Sequence, residues 1–217
     1  ASFEAIDLPL IRYVASTGKP MIISTGMADA DEISEAIEAA RSGGCKELAV
    51  LHCVSGYPAP AEDYNLRTIQ DMMQRYGLVT GLSDHTLDNT TAIASVVLGA
   101  SIIEKHFTLD RSGGGPDDSF SLEPPELMAL CRDSKTAWRA LGKVDYGRKS
   151  SEQGNARFRR SLYITSALRK GDVLTRDNVR SVRPGFGLPP KKLEEILGRR
   201  VNRDVEFGTA LTQDLIE

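Results

Sequence analysis

Four short apolar runs constrain this chain more than any other feature. Pro20–Ser24, Glu47–Cys53, Leu78–Ser83 and Ser101–His106 recur at similar intervals, each rich in Ile, Val or Leu and bounded by turn or polar residues. Runs of this length predict strands buried on both faces. Helical patterns separate them. Asp29–Arg41 opens on acidic residues and closes on Gly43-Gly44, Asn65–Tyr76 lines up Leu66, Ile69, Met72 and Met73 before Gly77, and Asn89–Leu98 ends at Gly99. A further helix is predicted over Pro125–Leu141. Strands alternating with helices at a spacing of roughly 25–30 residues mean βαβ units and a parallel sheet. Four such units suit half of an eight-stranded (β/α) barrel. An open doubly wound sheet is the rival, disfavoured because no strand is followed by a Gly-rich phosphate fingerprint.

The pattern changes near residue 143. Residues 143–156 are polar and short of apolar side chains, which predicts a linker between a partial barrel over 1–142 and a small, mainly β module over 157–217. In that module Leu162–Thr165 and Ala210–Leu215 are predicted as strands, with one short helix within Leu188–Leu197. Charge divides along the same line. Residues 157–217 carry 13 Lys/Arg and 8 Asp/Glu, whereas residues 1–156 carry 14 and 22. Such asymmetry points to two modules with different jobs. The basic residues are scattered among apolar ones with no aromatic stacking platform, so nucleic acid is not the expected partner. No apolar run approaches the roughly 18–20 residues of a spanning helix, and no membrane role is expected. Three irregularly spaced cysteines and an acidic opening segment, ASFEAIDLPL, fit a cytoplasmic protein. The first residues read as the tail of a strand.

Barrel chemistry gathers at the carboxyl ends of strands. The four runs end in Ser24-Thr25-Gly26, in Ser55 and Tyr57, in Ser83-Asp84-His85, and in Glu104-Lys105-His106. Strand alternation puts Ser83 with His85, and Glu104 with His106, on shared faces. The two imidazoles are a candidate for one divalent metal, with Glu104 the expected partner orienting a ring nitrogen; a pair of hydrogen-bonded interior histidines is the alternative. His52, inside a strand, is expected to be structural. Ser24 and Ser83 are candidates to bind phosphate oxygens or to cap the following helices. Gly113–Asp118 reads as a loop over the site or a plain surface turn. Arg183-Pro184-Gly185-Phe186-Gly187 can present a cation and an aromatic at a turn tip, or be a solvated turn.

GKPMIISTGM (18–27), LHCVSGYPAPAEDYNL (51–66), GLSDHTL (81–87) and IIEKHFTLDRSGGGPDDSFSLEP (102–124) resemble the sialic acid synthase family in order and spacing. RRSLYITSALRKGDVLTRDNV and VRPGFG, within 157–217, resemble that family's C-terminal SAF, or antifreeze-like, domain. The resemblance implies an α/β fold, the C-terminal half of a (β/α)8 TIM barrel followed by the small SAF module. It implies an enzyme that couples phosphoenolpyruvate to an acetamido sugar, releasing phosphate and a nine-carbon 2-keto acid. His85 and His106 match the metal ligands, for Mn²⁺ or Mg²⁺. Ser2, Ser24 and Ser83 match residues holding the phosphoenolpyruvate phosphate, and Glu4, Tyr57 and Asp117 match sugar contacts. Arg183 matches an arginine lent by the SAF domain of one subunit to the barrel of another, which implies a domain-swapped homodimer. Glu4 joins the two histidines as an expected catalytic residue.

Two departures bear on specificity and completeness. Ser55 stands where sialic acid synthases commonly have Asn, and Asp118, Ser119 and Phe120 look more like pseudaminic acid synthases, whose acceptor is a 6-deoxy diacetamido sugar. Sialic or legionaminic acid synthesis is the next expectation. Family members carry about three further strands before this point, so the chain is expected to be part of a longer protein and inactive alone. The rivals are a noncatalytic carbohydrate- or partner-binding protein and another phosphoenolpyruvate-condensing barrel of the DAHP synthase type.

Overall fold

The computed structural model describes residues 1–217, which divide into two compact units, Ala1–Lys143 and Val144–Glu217. The first begins with a 3-10 turn, Ser2–Glu4, and helix α1, Leu8–Ala15, in place of the expected strand tail. The cause is local. Asp7 caps α1 by accepting the Leu10 N–H at 3.1 Å, and Pro9 lies in the first turn, where a missing N–H costs nothing.

The predicted alternation follows. Strand β1 (Met21–Ser24) leads into α2 (Ala30–Ser42), β2 (Leu48–Cys53) into α3 (Thr68–Tyr76), β3 (Val79–Asp84) into α4 (Thr90–Val97), and β4 (Ile102–Lys105) into α5 (Pro124–Leu141). The strands pair in parallel in the order β1-β2-β3-β4, and the sheet curls as half of a barrel. Asp29 and Glu32 close a reciprocal capping box at the start of α2. Apolar faces of α1 and α2 (Ile11, Ala15, Ala36, Ile37, Ala40) bury against Met21, Ile23, Leu48 and Val50. A second cluster packs Tyr64, Ile69 and Leu82 behind the middle of the sheet. Helix outside and strand inside leave the carboxyl ends of all four strands at one rim.

The second unit holds a two-stranded antiparallel sheet, β5 (Ser161–Ile164) with β6 (Val179–Val182), and a short helix, α6 (Leu193–Ile196). The strand predicted at Ala210–Leu215 does not form. Ala210 makes a single bridge to Tyr163, and Gln213–Leu215 is a 3-10 turn. Leu211 explains why: its N–H goes to Leu162 O and its carbonyl receives the Leu188 N–H, so the segment bonds two neighbours and builds a ladder with neither. Residues 143–156 are exposed apart from Ala156, and a 3-10 segment spans Ser150–Phe158. Leu162, Ile164, Leu174, Val201 and Leu211 form a fully enclosed core.

Candidate active site

The site is assembled from the strand ends of the first unit. β3 and β4 are in register through Ser83↔Glu104 and Asp84↔Lys105, so the next residue on each strand is a histidine. The His85 and His106 rings stand 5.2 Å apart, centroid to centroid, at 70°. Every polar group of His85 but one is committed. Its N–H donates to the Tyr64 hydroxyl at 2.6 Å, its carbonyl accepts the Ala59 N–H at 3.1 Å, and Nδ1 lies 2.7 Å from Val54 O. A carbonyl only accepts, so Nδ1 carries a proton, and Nε2 is left without a partner. His106 is held less tightly, with a carboxylate near its ring and no hydrogen bond to it. Its Nδ1 is 3.3 Å from Asp117 Oδ2, and its carbonyl accepts the Leu122 N–H at 2.9 Å.

The expected partner of the imidazoles, Glu104, is therefore not their partner. Its Oε1 accepts the hydroxyls of Ser83 at 2.8 Å and Ser24 at 3.3 Å, tying β1, β3 and β4 together across the rim. Asp117, in the loop after β4, takes the orienting position instead. Ser24 does not cap α2, whose cap is Asp29.

A ring of aromatics frames the imidazoles. Tyr57 lies 4.3 Å from His85 and 5.7 Å from His106, and Phe120 lies 5.1 Å from His106 and 5.5 Å from Tyr57. The 113–118 loop thus borders the site, and Asp118 holds its shape by accepting the Gly115 N–H at 2.7 Å. Ser55 donates to Ser2 at 2.9 Å beside Gly26, where φ is +54° and a Cβ would fall 2.6 Å from Ser2 Cβ. Only glycine fits that turn. Glu4 is exposed and hydrogen bonds to none of these residues; its one ion pair, at 3.6 Å, is with the Ala1 amino group.

Two buried groups that the sequence did not single out support the rim. The Tyr64 side chain is fully enclosed, and burial pushes its hydroxyl well above the ordinary phenol range; the His85 N–H pulls the other way, and Asp84 and Cys53 add to the rise. The Lys105 ammonium and the Asp84 carboxylate form an ion pair at 3.1 Å, with side chains 3% and 0% exposed. Period-2 alternation was the available signal: it sets both on the face opposite the histidines. His52, expected to be structural, hydrogen bonds through Nε2 to Tyr64 O, and burial lowers its pKa despite that bond.

Two imidazoles, each with Nδ1 facing an oxygen and Nε2 without a partner, are a donor set that would fit a divalent cation. No group of three or more His, Cys, Asp or Glu gathers there, so the two ring nitrogens are what this chain would offer such an ion.

In the second unit, the Arg183 loop is fastened from below. Buried Ser161 donates to Pro184 O at 2.7 Å and accepts the Gly187 N–H at 2.9 Å, leaving Arg183 and Phe186 exposed. A groove of about 560 Å³ beside it is lined by Arg148, Arg157, Arg159, Arg160, Lys191 and Phe186. None of these cations pairs with a carboxylate within the unit.

Comparison with known proteins agrees with both units. The NeuB family model matches residues 1–146, and the SAF domain model matches 159–217. The chain belongs to the NeuB family. It is 40% identical to a pseudaminic acid synthase of Campylobacter jejuni over 98% of its own length and 62% of that protein's. It is 38% identical to an N,N'-diacetyllegionaminic acid synthase of the same species, over 91% of this chain and 60% of the relative. Among solved structures it resembles the spore coat polysaccharide biosynthesis protein SpsE of Bacillus subtilis at 34% identity, with a TM-score of 0.61 over 100% of this chain and 66% of that one. The chain thus spans about three-fifths of the length of these curated NeuB relatives. All the rim residues lie in the NeuB match and Arg183 lies in the SAF match. No helix is long and apolar enough to cross a membrane.

Proposed function

We propose that the protein containing this chain is a cytoplasmic synthase that condenses phosphoenolpyruvate with an open-chain acetamido sugar. C3 of phosphoenolpyruvate bonds to the sugar's aldehyde carbon, water adds at C2, and the C2–O bond breaks to release phosphate and a nine-carbon 2-keto acid. The observation that carries this reading is the His85–His106 pair, each Nδ1 facing an oxygen and each Nε2 free, beside a hydroxyl-lined rim. His85 and His106 would hold Mn²⁺ or Mg²⁺, which as a Lewis acid polarises the aldehyde oxygen.

The chain's own residues do the rest. Ser2, Ser24 and Ser83 are small donors for the phosphate oxygens, and the Ser24 and Ser83 hydroxyls turn from Glu104 to the ligand by rotation about one bond. Asp117 keeps the proton on His106 Nδ1. Tyr57, with Ser55 and Glu4, contacts the sugar, and Tyr57 and Phe120 shield the reacting carbons from water. Phe120 beside His106 offers an apolar contact for a 6-deoxy carbon, which favours a 6-deoxy diacetamido acceptor over the 6-hydroxylated acceptor of sialic acid, and the likeness of Asp118, Ser119 and Phe120 to pseudaminic acid synthases favours pseudaminic acid as the product. Arg183, exposed above an unneutralised basic groove, supplies positive charge to the anionic site of a second subunit in a domain-swapped homodimer.

The test is mass spectrometry of products formed by the full-length protein from phosphoenolpyruvate and a panel of acetamido hexoses, with bound Mn²⁺ measured in parallel. His85→Ala and His106→Ala are each expected to abolish stoichiometric Mn²⁺ and product together. Undiminished turnover in both variants would refute the assignment, and bound sugar without any product would mark a noncatalytic protein.

A further inference from the structure

The backbone ladder between β3 and β4 ends at Asp84↔Lys105, one residue short of both imidazoles. Beyond that rung no backbone hydrogen bond links the two strands, so, apart from the bonds each histidine makes to its own neighbours, the separation of the rings depends on what fastens the rung itself. On the inner face the fastening is Ser83 to Glu104 at 2.8 Å. On the outer face it is Asp84 to Lys105, and this pair reaches further. The three N–H bonds of the Lys105 ammonium go to Asp84 Oδ2 at 3.1 Å, Thr86 O at 2.6 Å and Asp88 O at 2.8 Å. The other carboxylate oxygen, Asp84 Oδ1, accepts the Thr86 N–H at 2.9 Å. The Asp88 side chain in turn accepts the N–H of Thr90, the first residue of α4, at 2.7 Å. The loop that carries His85, from Asp84 to the start of α4, is therefore closed onto the residue immediately before His106.

Burying two charges is costly, and a buried pair is often no more stabilising than apolar side chains of the same volume. A fully satisfied ammonium that gathers the flanks of one imidazole onto the strand of the other is better explained by geometry than by stability. We propose that Asp84 and Lys105 are positioning residues that set the spacing and orientation of His85 against His106; the consequence for metal binding rests on the metal reading above.

Three variants of the full chain separate positioning from folding. D84N keeps the volume and can still accept the Thr86 N–H, K105M removes the ammonium, and D84N/K105M removes both charges so that neither is left unpaired. Each is measured for thermal midpoint, for Mn²⁺ affinity by electron paramagnetic resonance, and for imidazole ¹H–¹³C cross-peaks of the metal-free chain. With three histidines in all, His52 serves as the internal reference. The double variant is expected to regain most of the midpoint that K105M loses, while the His85 and His106 peaks stay displaced and Mn²⁺ affinity stays about 10–100-fold down, as for other groups that orient metal ligands.

A double variant whose peaks superimpose on the wild type, with affinity within about twofold of it, overturns the proposal. Should K105M and the double variant fail to fold, D84N, whose Lys105 keeps two carbonyl acceptors, decides by the same two readouts. A wild-type chain that binds no Mn²⁺ defeats the metal reading alone, and the metal-free spectra still decide whether Asp84 and Lys105 position the rings.

Discussion

The two units hold their functional residues in opposite ways. In residues 1–143, His85, His106, Ser83 and Lys105 are themselves buried or half-buried, and each faces a named partner: His85 Val54, His106 Asp117, Ser83 Glu104, Lys105 Asp84. In residues 144–217, the backbone of the Arg183 loop is tied down by Ser161, and the side chains at its tip are free. The first arrangement suits a preorganised centre, where geometry must be set before a ligand arrives. The second suits a loop that completes a site elsewhere, where the partner supplies the contacts. Charge follows the same division: the first unit buries an ion pair, whereas the second displays unpaired cations around a groove.

The sharpest way to break this comparison is to overfill one unit and watch the other. A Cβ on Gly81 would lie 2.4 Å from Ile102 O, and one on Gly187 2.3 Å from Leu162 O. Gly81→Val is expected to cost well over about 3 kcal/mol and unfold the first unit, and Gly187→Val to do the same to the second. Hydrogen exchange resolved by segment reads each loss; coincident loss of both units in either variant ends the description of two separable units.

Leu162→Ala is expected to cost about 2–5 kcal/mol by emptying part of the second unit's core, with protection in the first unit unchanged. Denaturant titration followed by segment-resolved exchange measures it. Ser161→Ala leaves the Gly187 N–H without its acceptor, at about 1–3 kcal/mol. The Gly185 and Gly187 amides should then exchange faster while Arg183 remains exposed. An unchanged rate would mean that the loop is shaped by something other than Ser161.

The smallest expected effect is one of pH. Burial lowers the His52 pKa below its ordinary value of 6.5, so the folded state holds the neutral ring and the unfolded chain takes up the proton first. The stability this ring contributes is complete above about pH 6.5 and is lost as pH falls through the lower, folded-state value. The midpoint of the first unit should decline over that window, less so in His52→Gln. The second unit contains no histidine and should stay flat. Equal slopes in both units would discount His52 as the cause.

Much of the barrel unit was legible because its signals are local. Apolar runs between turn residues marked all four strands to within a residue or two, and Asp29, Gly77 and Gly99 marked helix ends where they occur. α1 was missed because its evidence is a single cap and a proline within eight residues. In the second unit, Val179–Val182 was missed because Arg180 and Ser181 break any apolar run, and Ala210–Leu215 was overread because its leucines are buried without a strand ladder.

Alternation along β3 and β4 by itself determined that Ser83 shares a face with His85, and Glu104 with His106, since period 2 is a property of any extended chain; the register that brings the two histidines side by side came from the sheet. Motif order likewise determined family membership, because it is written in the residues alone. Only the tertiary structure decided the partners. Ser24 meets Glu104 across 80 positions of sequence, and Asp117 rather than Glu104 faces His106, because the curl of the sheet and the path of one loop set which carboxylate arrives where. Distances of that kind depend on every intervening turn and helix length, and no local pattern encodes them.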